Sequence, residues 1–265
     1  MTKAIFIDID GTLGIKEEKS LYYNLRVIND IRKKGHKVFI NTGRTSVFLP
    51  EQLEYEKNFD GAVFGNGSHI VINGETVFSE FMDKDFLLKS FAVCLKHNLQ
   101  MSYEGDDNIL YYFDRDVRRE KWIKIENETE FKKYLDNYRY RKITYKGIID
   151  DYSEFEALSD KINVGAMGMY DGKPAQAGEI ILKNTGKDKG IRRVIDILGI
   201  KREDTIAIGD SMNDYHMIKY AGVGVAVANA EEKIKEIADI ITDDCNECGV
   251  GKAIEKIFEK IEKKC

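Results

Sequence analysis

Two aspartates near the start of the chain, Asp8 and Asp10, have a spacing that suggests chemistry. They stand in the segment Asp8-Ile9-Asp10-Gly11-Thr12, directly after the apolar run Ala4–Ile7. That run predicts a buried strand, and open α/β sheets bind their ligands at the carboxyl ends of such strands. Alternation along the chain puts both carboxylates on one side, where a cation must offset their repulsion. We therefore predict a divalent metal site here.

A second polar group, Asn41-Thr42-Gly43-Arg44, follows the predicted strand His36–Ile40. A hydroxyl, a glycine amide and a guanidinium would then meet at the edge of the sheet that carries Asp8. Such donors suit the oxygens of a phosphoryl group.

The third group is Gly209-Asp210-Ser211-Met212-Asn213-Asp214, after the predicted strand Thr205–Ile208. Asp210 and Asp214 are four residues apart, which is about one helical turn, so both can face one ion. Oxygen ligands without a nearby histidine or cysteine pair favour Mg²⁺ over Zn²⁺. The sequence therefore predicts magnesium as the cofactor.

Two lysines in Gly186-Lys187-Asp188-Lys189-Gly190 lie just before a predicted helix. The helix dipole disfavours a cation at this end, so a lysine here indicates a nearby anion. Either Lys187 or Lys189 can be that lysine.

The elements around these groups predict an α/β fold. Strand, helix and strand follow one another over Ala4–Ile40, which implies a right-handed crossover in a parallel sheet, and a further helix is predicted over residues 45–56. From residue 83 the pattern changes to α+β, with strands predicted at Lys142–Ile148 and Val164–Met169. We predict a Rossmann-like parallel-sheet core domain over residues 1–82 and 183–265, split by an inserted α+β domain over residues 83–182.

Composition and charge exclude several functional classes. Apolar residues make up 43% and charged residues 33%, and the net charge is −5. No basic patch favours nucleic acid, and no apolar run approaches the roughly 20 residues that cross a bilayer. The first residues do not resemble a secretory signal, so a cytoplasmic location is expected.

The cysteines are expected to be thiols in that reducing compartment. Cys245 and Cys248 form a CxxC pair, but no second pair completes a zinc site, and any role of the two stays open.

The sequence contains, in this order, DxDGT, TGR, a lysine before a helix and GDSMND, which together span residues 8 to 214. These segments resemble the four motifs of the haloacid dehalogenase superfamily. The insertion between the second and third motifs resembles the C2-type cap of the Cof-like sugar phosphatases. The resemblance implies a phosphatase that acts through a phosphorylated aspartate.

The resemblance also implies roles for the residues. Asp8 would be the nucleophile, and Asp10 the acid and base. The phosphate would be bound by Thr42, Gly43, Asn213 and Lys189, the last preferred over Lys187 because the family pattern is Lys-Gly. The acidic metal site would consist of Asp8, Asp10, Asp210 and Asp214, with the Ile9 carbonyl as a further ligand.

The substrate is expected to be a small phosphorylated metabolite, such as a sugar phosphate, with Arg44 and Asn66 as possible contacts. A phosphomutase or another phosphoryl transferase would use the same aspartate, so it remains an alternative, as does, less favourably, a phosphoacceptor signalling module. The sequence leaves the oligomeric state open between monomer and homodimer.

Overall fold

The computed structural model describes residues 1–113, 116–117, 119–147, 152–166, 169–170, 173–174 and 177–263. The chain forms two compact units. The first contains Met1–Gly43, Leu49–Ser79 and Gly186–Cys265, and the second contains Arg44–Phe48 and Glu80–Thr185. Each unit has a hydrophobic core of its own.

The strands and helices are numbered in chain order. The strands are β1 (Ala4–Ile7), β2 (Lys37–Asn41), β3 (Gly61–Phe64), β4 (His69–Ile72), β5 (Glu75–Ser79), β6 (Gln100–Gly105), β7 (Ile109–Tyr112), β8 (Trp122–Lys124), β9 (Tyr140–Lys146), β10 (Ile162–Ala166), β11 (Met169–Tyr170), β12 (Lys173–Pro174), β13 (Ala177–Leu182), β14 (Thr205–Gly209), β15 (Val223–Ala226) and β16 (Ile240–Ile241). The α-helices are α1 (Glu18–Lys33), α2 (Tyr55–Asn58), α3 (Lys84–Lys96), α4 (Glu128–Leu135), α5 (Ser153–Glu156), α6 (Lys187–Leu198), α7 (Tyr215–Tyr220), α8 (Glu232–Ile237) and α9 (Gly249–Glu262).

The first unit is built on a sheet with the strand order β16-β15-β14-β1-β2-β3-β4-β5. The strands from β16 to β3 are parallel, and β4 and β5 extend the sheet as an antiparallel hairpin. Strand β1 lies between β14 and β2, with Ile7 level with both Ile208 and Ile40. The predicted parallel-sheet α/β core is confirmed, and its register brings the ends of β1, β2 and β14 together.

Burial explains why these segments form strands and helices. All four residues of β1 are inaccessible to solvent, as expected for a parallel strand covered on both faces. In α1 the apolar residues recur on one side, and this side includes Leu21, Ile28 and Ile31. The helix packs against α9, where Gly251 leaves room for the ring of Tyr23.

The second unit is an α+β structure. Its sheet has the order β10-β13-β9-β6-β7-β8 and is antiparallel except between β7 and β8. An aromatic cluster of Phe91, Tyr103 and Phe131 joins α3 and α4 to this sheet, with ring centroids 4.4–6.4 Å apart.

The prediction of a helix over residues 45–56 was wrong. The segment instead contains the short 3₁₀ turns Ser46–Phe48 and Glu51–Leu53, followed by α2. Pro50 disfavours the helical conformation of the residue before it, and Glu54 has a left-handed backbone with φ 40°. The segment Arg44–Phe48 also groups with the second unit, which the sequence did not indicate.

Two predicted strands of the second unit differ at their ends from those observed. The strand expected at Lys142–Ile148 is β9, which ends at Lys146, and Ile148 lies outside the described residues. The strand expected at Val164–Met169 corresponds to β10, and residues 167–168 also lie outside them. Among the helices of the described residues, none has both the length and the apolar character for crossing a membrane.

Candidate active site

Asp8 is the first residue after β1, and its backbone is held in the sheet. The N–H of Asp8 donates to the carbonyl of Ile208 at 3.0 Å, and the residue is only 4% exposed. The carbonyl of Ile9 then accepts from the amides of Thr12 and Leu13, at 3.3 and 3.1 Å, and closes a tight turn. These two bonds occupy the lone pairs of the Ile9 carbonyl, which argues against the metal-ligand role expected for it.

Thr12 joins this turn to the loop after β14. Its hydroxyl donates to Oδ1 of Asp210 at 2.6 Å. Gly11 has φ +81°, and a Cβ at this position would lie 2.4 Å from Oδ2 of Asp210, so only glycine fits. Thr12 was not among the predicted site residues, although its place in DxDGT was a signal that could have identified it.

Asp214 organises the loop after β14 through both carboxylate oxygens. Oδ2 accepts from the amides of Asp210 and Ser211 at 3.0 and 3.2 Å, and Ser211 completes a capping box with it. Oδ1 faces Lys187. Asp214 is fully buried, so its carboxylate is fixed by these bonds rather than by solvent.

Lys187, the first residue of α6, connects the two loops. Its ammonium donates to Oδ1 of Asp8 and to Oδ1 of Asp214, both at 2.6 Å, and lies 3.2 Å from Oδ1 of Asn213. The lysine is 3% exposed. A buried ammonium between two buried carboxylates gives charge-assisted hydrogen bonds in a medium that screens them poorly.

The position beside Asp8 therefore belongs to Lys187, whereas the family pattern had favoured Lys189. Two successive steps along an α-helix turn through about 200°, so the side chains of Lys187 and Lys189 leave α6 in nearly opposite directions. Lys189 is half-buried in the first turn of the helix. The sequence could not separate the two because they lie in one charged loop.

The electrostatics of the cluster call for more positive charge than one lysine supplies. Burial raises the pKa of Asp8 to about 8, against the opposing effect of Lys187, and the charge of Asp214 raises it further. Burial also raises the pKa of Asp210 to about 6. Burial disfavours the ammonium of Lys187, but the carboxylates of Asp214 and Asp8 outweigh this and raise its pKa above the ordinary value.

Asp8, Asp210 and Asp214 could together hold a metal ion. One ligand oxygen from each lies within 4.8 Å of the others. Three carboxylates against one ammonium leave two negative charges in excess when all are ionised, and a divalent cation would cancel these. Asp10 is exposed, and it is not part of this cluster of three carboxylates among the described residues.

Two of the residues expected to bind phosphate, Thr42 and Gly43, follow β2, and Asn66, an expected substrate contact, lies after β3. Thr42 is 1% exposed, and its amide donates to the carbonyl of Val63 at 2.9 Å. The main-chain N–H of Asn66 donates to the Thr42 carbonyl at 3.1 Å, and the side chain of Asn66 lies against Gly43. The side-chain Nδ2 of Asn66 is buried without a hydrogen-bond partner among the described residues. Arg44 belongs to the second unit, where its guanidinium donates to the carbonyl of Phe48 at 2.7 Å.

Comparisons with known proteins identify the family. A family model for haloacid dehalogenase-like hydrolases matches residues 5–254. The 5-amino-6-(5-phospho-D-ribitylamino)uracil phosphatase of Bacillus subtilis is 31% identical over 252 residues, covering 95% of this chain and 94% of that protein. A phosphoglycolate phosphatase of Staphylothermus marinus is 27% identical over 266 residues, covering 98% of this chain and 99% of that protein.

Solved structures agree with the fold. A sugar phosphatase of haloacid dehalogenase subclass IIB is 24% identical, and the match covers 97% of this chain and 99% of that chain with a TM-score of 0.76. The chain is thus a phosphoric monoester hydrolase, and it belongs to the haloacid dehalogenase-like hydrolase family, in its Cof-like branch.

Proposed function

We propose that this enzyme is a magnesium-dependent phosphatase that hydrolyses a small phosphorylated metabolite through a phosphoaspartate on Asp8. One observation carries the proposal. The ammonium of Lys187 lies 2.6 Å from both Asp8 and Asp214, and the half-buried carboxylate of Asp210 belongs to the same cluster. Such a site can hold a nucleophilic carboxylate while offsetting the charge of an incoming phosphate.

In the first step a carboxylate oxygen of Asp8 attacks phosphorus, and the P–O bond to the leaving alcohol breaks. The electron pair of that bond goes to the alcohol oxygen, which takes a proton from Asp10. The exposed side chain of Asp10 suits this role, since it can meet a substrate that arrives from solvent. The products of the step are the alcohol and an acyl phosphate on Asp8.

In the second step water attacks the phosphoryl group on Asp8, and Asp10 takes the proton from that water. The bond between phosphorus and the Asp8 oxygen breaks, which regenerates the carboxylate and releases inorganic phosphate. Lys187 would counter the charge of the phosphoryl group in both steps, in the place first given to Lys189. Placing this charge correctly is the main contribution that a protein makes to phosphoryl transfer.

Magnesium fits the acidic residues of this site. Asp8, Asp210 and Asp214 offer only carboxylate oxygens, the hard ligands that Mg²⁺ prefers. When bound, the ion supplies positive charge next to the nucleophile and the transferring phosphate. Asp214 already uses both oxygens in hydrogen bonds, so we assign direct contact to Asp8 and Asp210 and a supporting position to Asp214. Asp10, exposed outside the cluster, is assigned to proton transfer alone.

The phosphate oxygens would be bound by donors at the strand ends. Thr42 and Gly43 provide a hydroxyl and an amide, and Asn213 would contribute from the loop after β14. Asn66, with a buried amide at Gly43, is proposed to contact the substrate, and Arg44 is proposed as a further substrate contact. We also propose that residues 83–182 form an inserted cap domain of the C2 type that selects the substrate.

A screen of phosphorylated metabolites, with and without Mg²⁺, tests the proposal. Similar proteins are named for a ribitylaminouracil phosphate, phosphoglycolate and sugar phosphates, so these three kinds of ester belong in the first panel. The expected result is release of inorganic phosphate that requires Mg²⁺, together with one phosphoryl group bound covalently to Asp8 when the reaction is quenched. An isomerised sugar phosphate without phosphate release would identify a phosphomutase instead.

A further inference from the structure

Asn41, the last residue of β2, has a fully buried amide side chain to which the proposed mechanism gives no role. Ile7 and Ile40 are level in the sheet, so the next residues, Asp8 and Asn41, occupy neighbouring strand ends. The Nδ2 group of Asn41 donates to the main-chain carbonyl of Lys187 at 3.0 Å and also lies 3.5 Å from the sulfur of Met217. Asn41 therefore ties the strand beside the nucleophile to the residue that carries the ammonium.

The start of α6 is held by contacts from outside the helix. Gly186 is the N-cap residue and, being glycine, has no side chain that could cap the first turn. Further along, Gly190 lets the helix approach β3, since a Cβ there would lie 2.3 Å from Val63. The close packing at Gly190 fixes the helix against the sheet, and the bond from Asn41 fixes the backbone of Lys187 one turn earlier.

The side-chain oxygen of Asn41 indicates that this residue does not serve to stabilise the fold. Its Oδ1 is buried with no hydrogen-bond partner among the described residues. A buried acceptor without a partner costs free energy, and an apolar residue of similar shape would avoid that cost. A polar group kept at such a cost is expected where function requires it.

We propose that Asn41 is a positioning residue for phosphoryl transfer, because its amide fixes the backbone of Lys187 so that the ammonium stays between Asp8 and Asp214. The inference rests on the proposed function only in taking Lys187 to act on the phosphoryl group. Asn41 itself contacts no reacting atom in this assignment.

The test is a double-mutant cycle on Asn41 and Lys187, measured as steady-state phosphate release in saturating Mg²⁺. Asn41→Leu keeps the volume and removes the donor. We expect it to lower kcat by about 10- to 100-fold with KM changed by less than about 3-fold, because a displaced ammonium weakens the transition state more than substrate binding. In a Lys187→Met background the same substitution should lower kcat by less than about 3-fold, because the group that it positions is gone.

The matched control is Asn58→Ala. Asn58 is another buried asparagine of the first unit, and its Nδ2 donates to the carbonyl of Leu53 at 2.9 Å. We expect Asn58→Ala to lower stability without lowering kcat, and Asn41→Leu to lower kcat without lowering the melting temperature. Equal losses of kcat for Asn41→Leu in both backgrounds would overturn the proposal.

A crystal structure of Asn41→Leu gives a readout that needs no lysine variant. The distance from Lys187 Nζ to Asp8 Oδ1, 2.6 Å in the native chain, is expected to increase. An unchanged distance together with lost activity would exclude a positioning role. If the native enzyme releases phosphate without forming a phosphoaspartate, the proposed mechanism fails but the cycle still reports whether the two residues act together.

Discussion

The ammonium of Lys187 lies 2.6 Å from Oδ1 of Asp8, although 179 residues separate the two along the chain. Both groups are nearly inaccessible to solvent. The sheet makes this contact possible because β1 lies beside β2 and β14, and α6 begins at the same edge. The catalytic role that we assign to each residue rests on this pair.

Asp8→Asn should reduce phosphate release by at least about 1,000-fold, because an amide cannot take up the phosphoryl group. The fold should persist, since asparagine matches aspartate in size and removes a buried charge. Asp30→Asn, on the exposed side of α1, is the control and should retain activity. Steady-state kinetics with circular dichroism would check this, and substantial turnover by Asp8→Asn would rule out the nucleophile assignment.

Lys187→Met should lower kcat far more than Lys189→Met does. Loss of one preorganised charge in an active site costs about 100- to 1,000-fold in kcat, and we expect this for Lys187. The two substitutions remove the same charge from the same turn of α6, so each serves as the control for the other. Measurement of kcat for both variants on the same substrate tests this prediction. A larger loss of kcat for Lys189→Met would show that Lys189, and not Lys187, acts on the phosphoryl group.

Removal of divalent metal should abolish activity, and Mg²⁺ should restore it. Asp210→Asn should raise the Mg²⁺ concentration required for half-maximal activity by about 10-fold or more, because one of the direct carboxylate ligands is lost. Titration of metal-depleted enzyme with Mg²⁺ measures both effects. Activity that survives complete chelation would contradict a metal-dependent mechanism.

The metal-free protein should become less stable as the pH rises from 3.8 towards about 8. Burial raises the pKa of Asp8 from 3.8 to about 8 and that of Asp210 from 3.8 to about 6. In this range the folded state binds more protons than the unfolded state, so the free energy of unfolding falls with increasing pH.

Urea unfolding in EDTA at several pH values would measure this dependence. Asp8→Asn is the informative comparison, because it removes one of the two groups and leaves every other titrating residue in place. Its stability should fall less steeply with pH than that of the native chain. Parallel curves for the two proteins would show that Asp8 does not titrate in this way.

The acidic cluster could be predicted from sequence because each of its residues follows a recognisable strand. Asp8 and Asp210 come directly after β1 and β14, Asp214 follows four residues after Asp210, and strands of a parallel sheet end at one edge. Which of these residues lie next to one another at that edge depends on the strand order. The sequence therefore predicted that these acids lie close together. It did not show that Asp10, which is exposed, lies outside the cluster of the other three.

The details that the sequence alone could not provide depend on positions within loops and turns. Lys187 and Lys189 differ by two residues in one charged loop, and only the observed start of α6 decides which side chain faces Asp8. Arg44 follows Thr42 closely in sequence but groups with the second unit. Asn41 directly precedes Thr42-Gly43-Arg44, yet its bond to the Lys187 carbonyl joins residues 146 apart, which no local pattern reveals.

The position of β1 in the middle of its sheet has a consequence for synthesis on the ribosome. Its neighbour β14 and the lysine of α6 both come from the last third of the chain, whereas residues 80–185 form a continuous segment with a core of their own. Domains generally fold as units, in the order in which they are made. The second unit can therefore fold while Asp8 still lacks its partners, and we expect the nascent protein to be inactive until Asp214 has emerged.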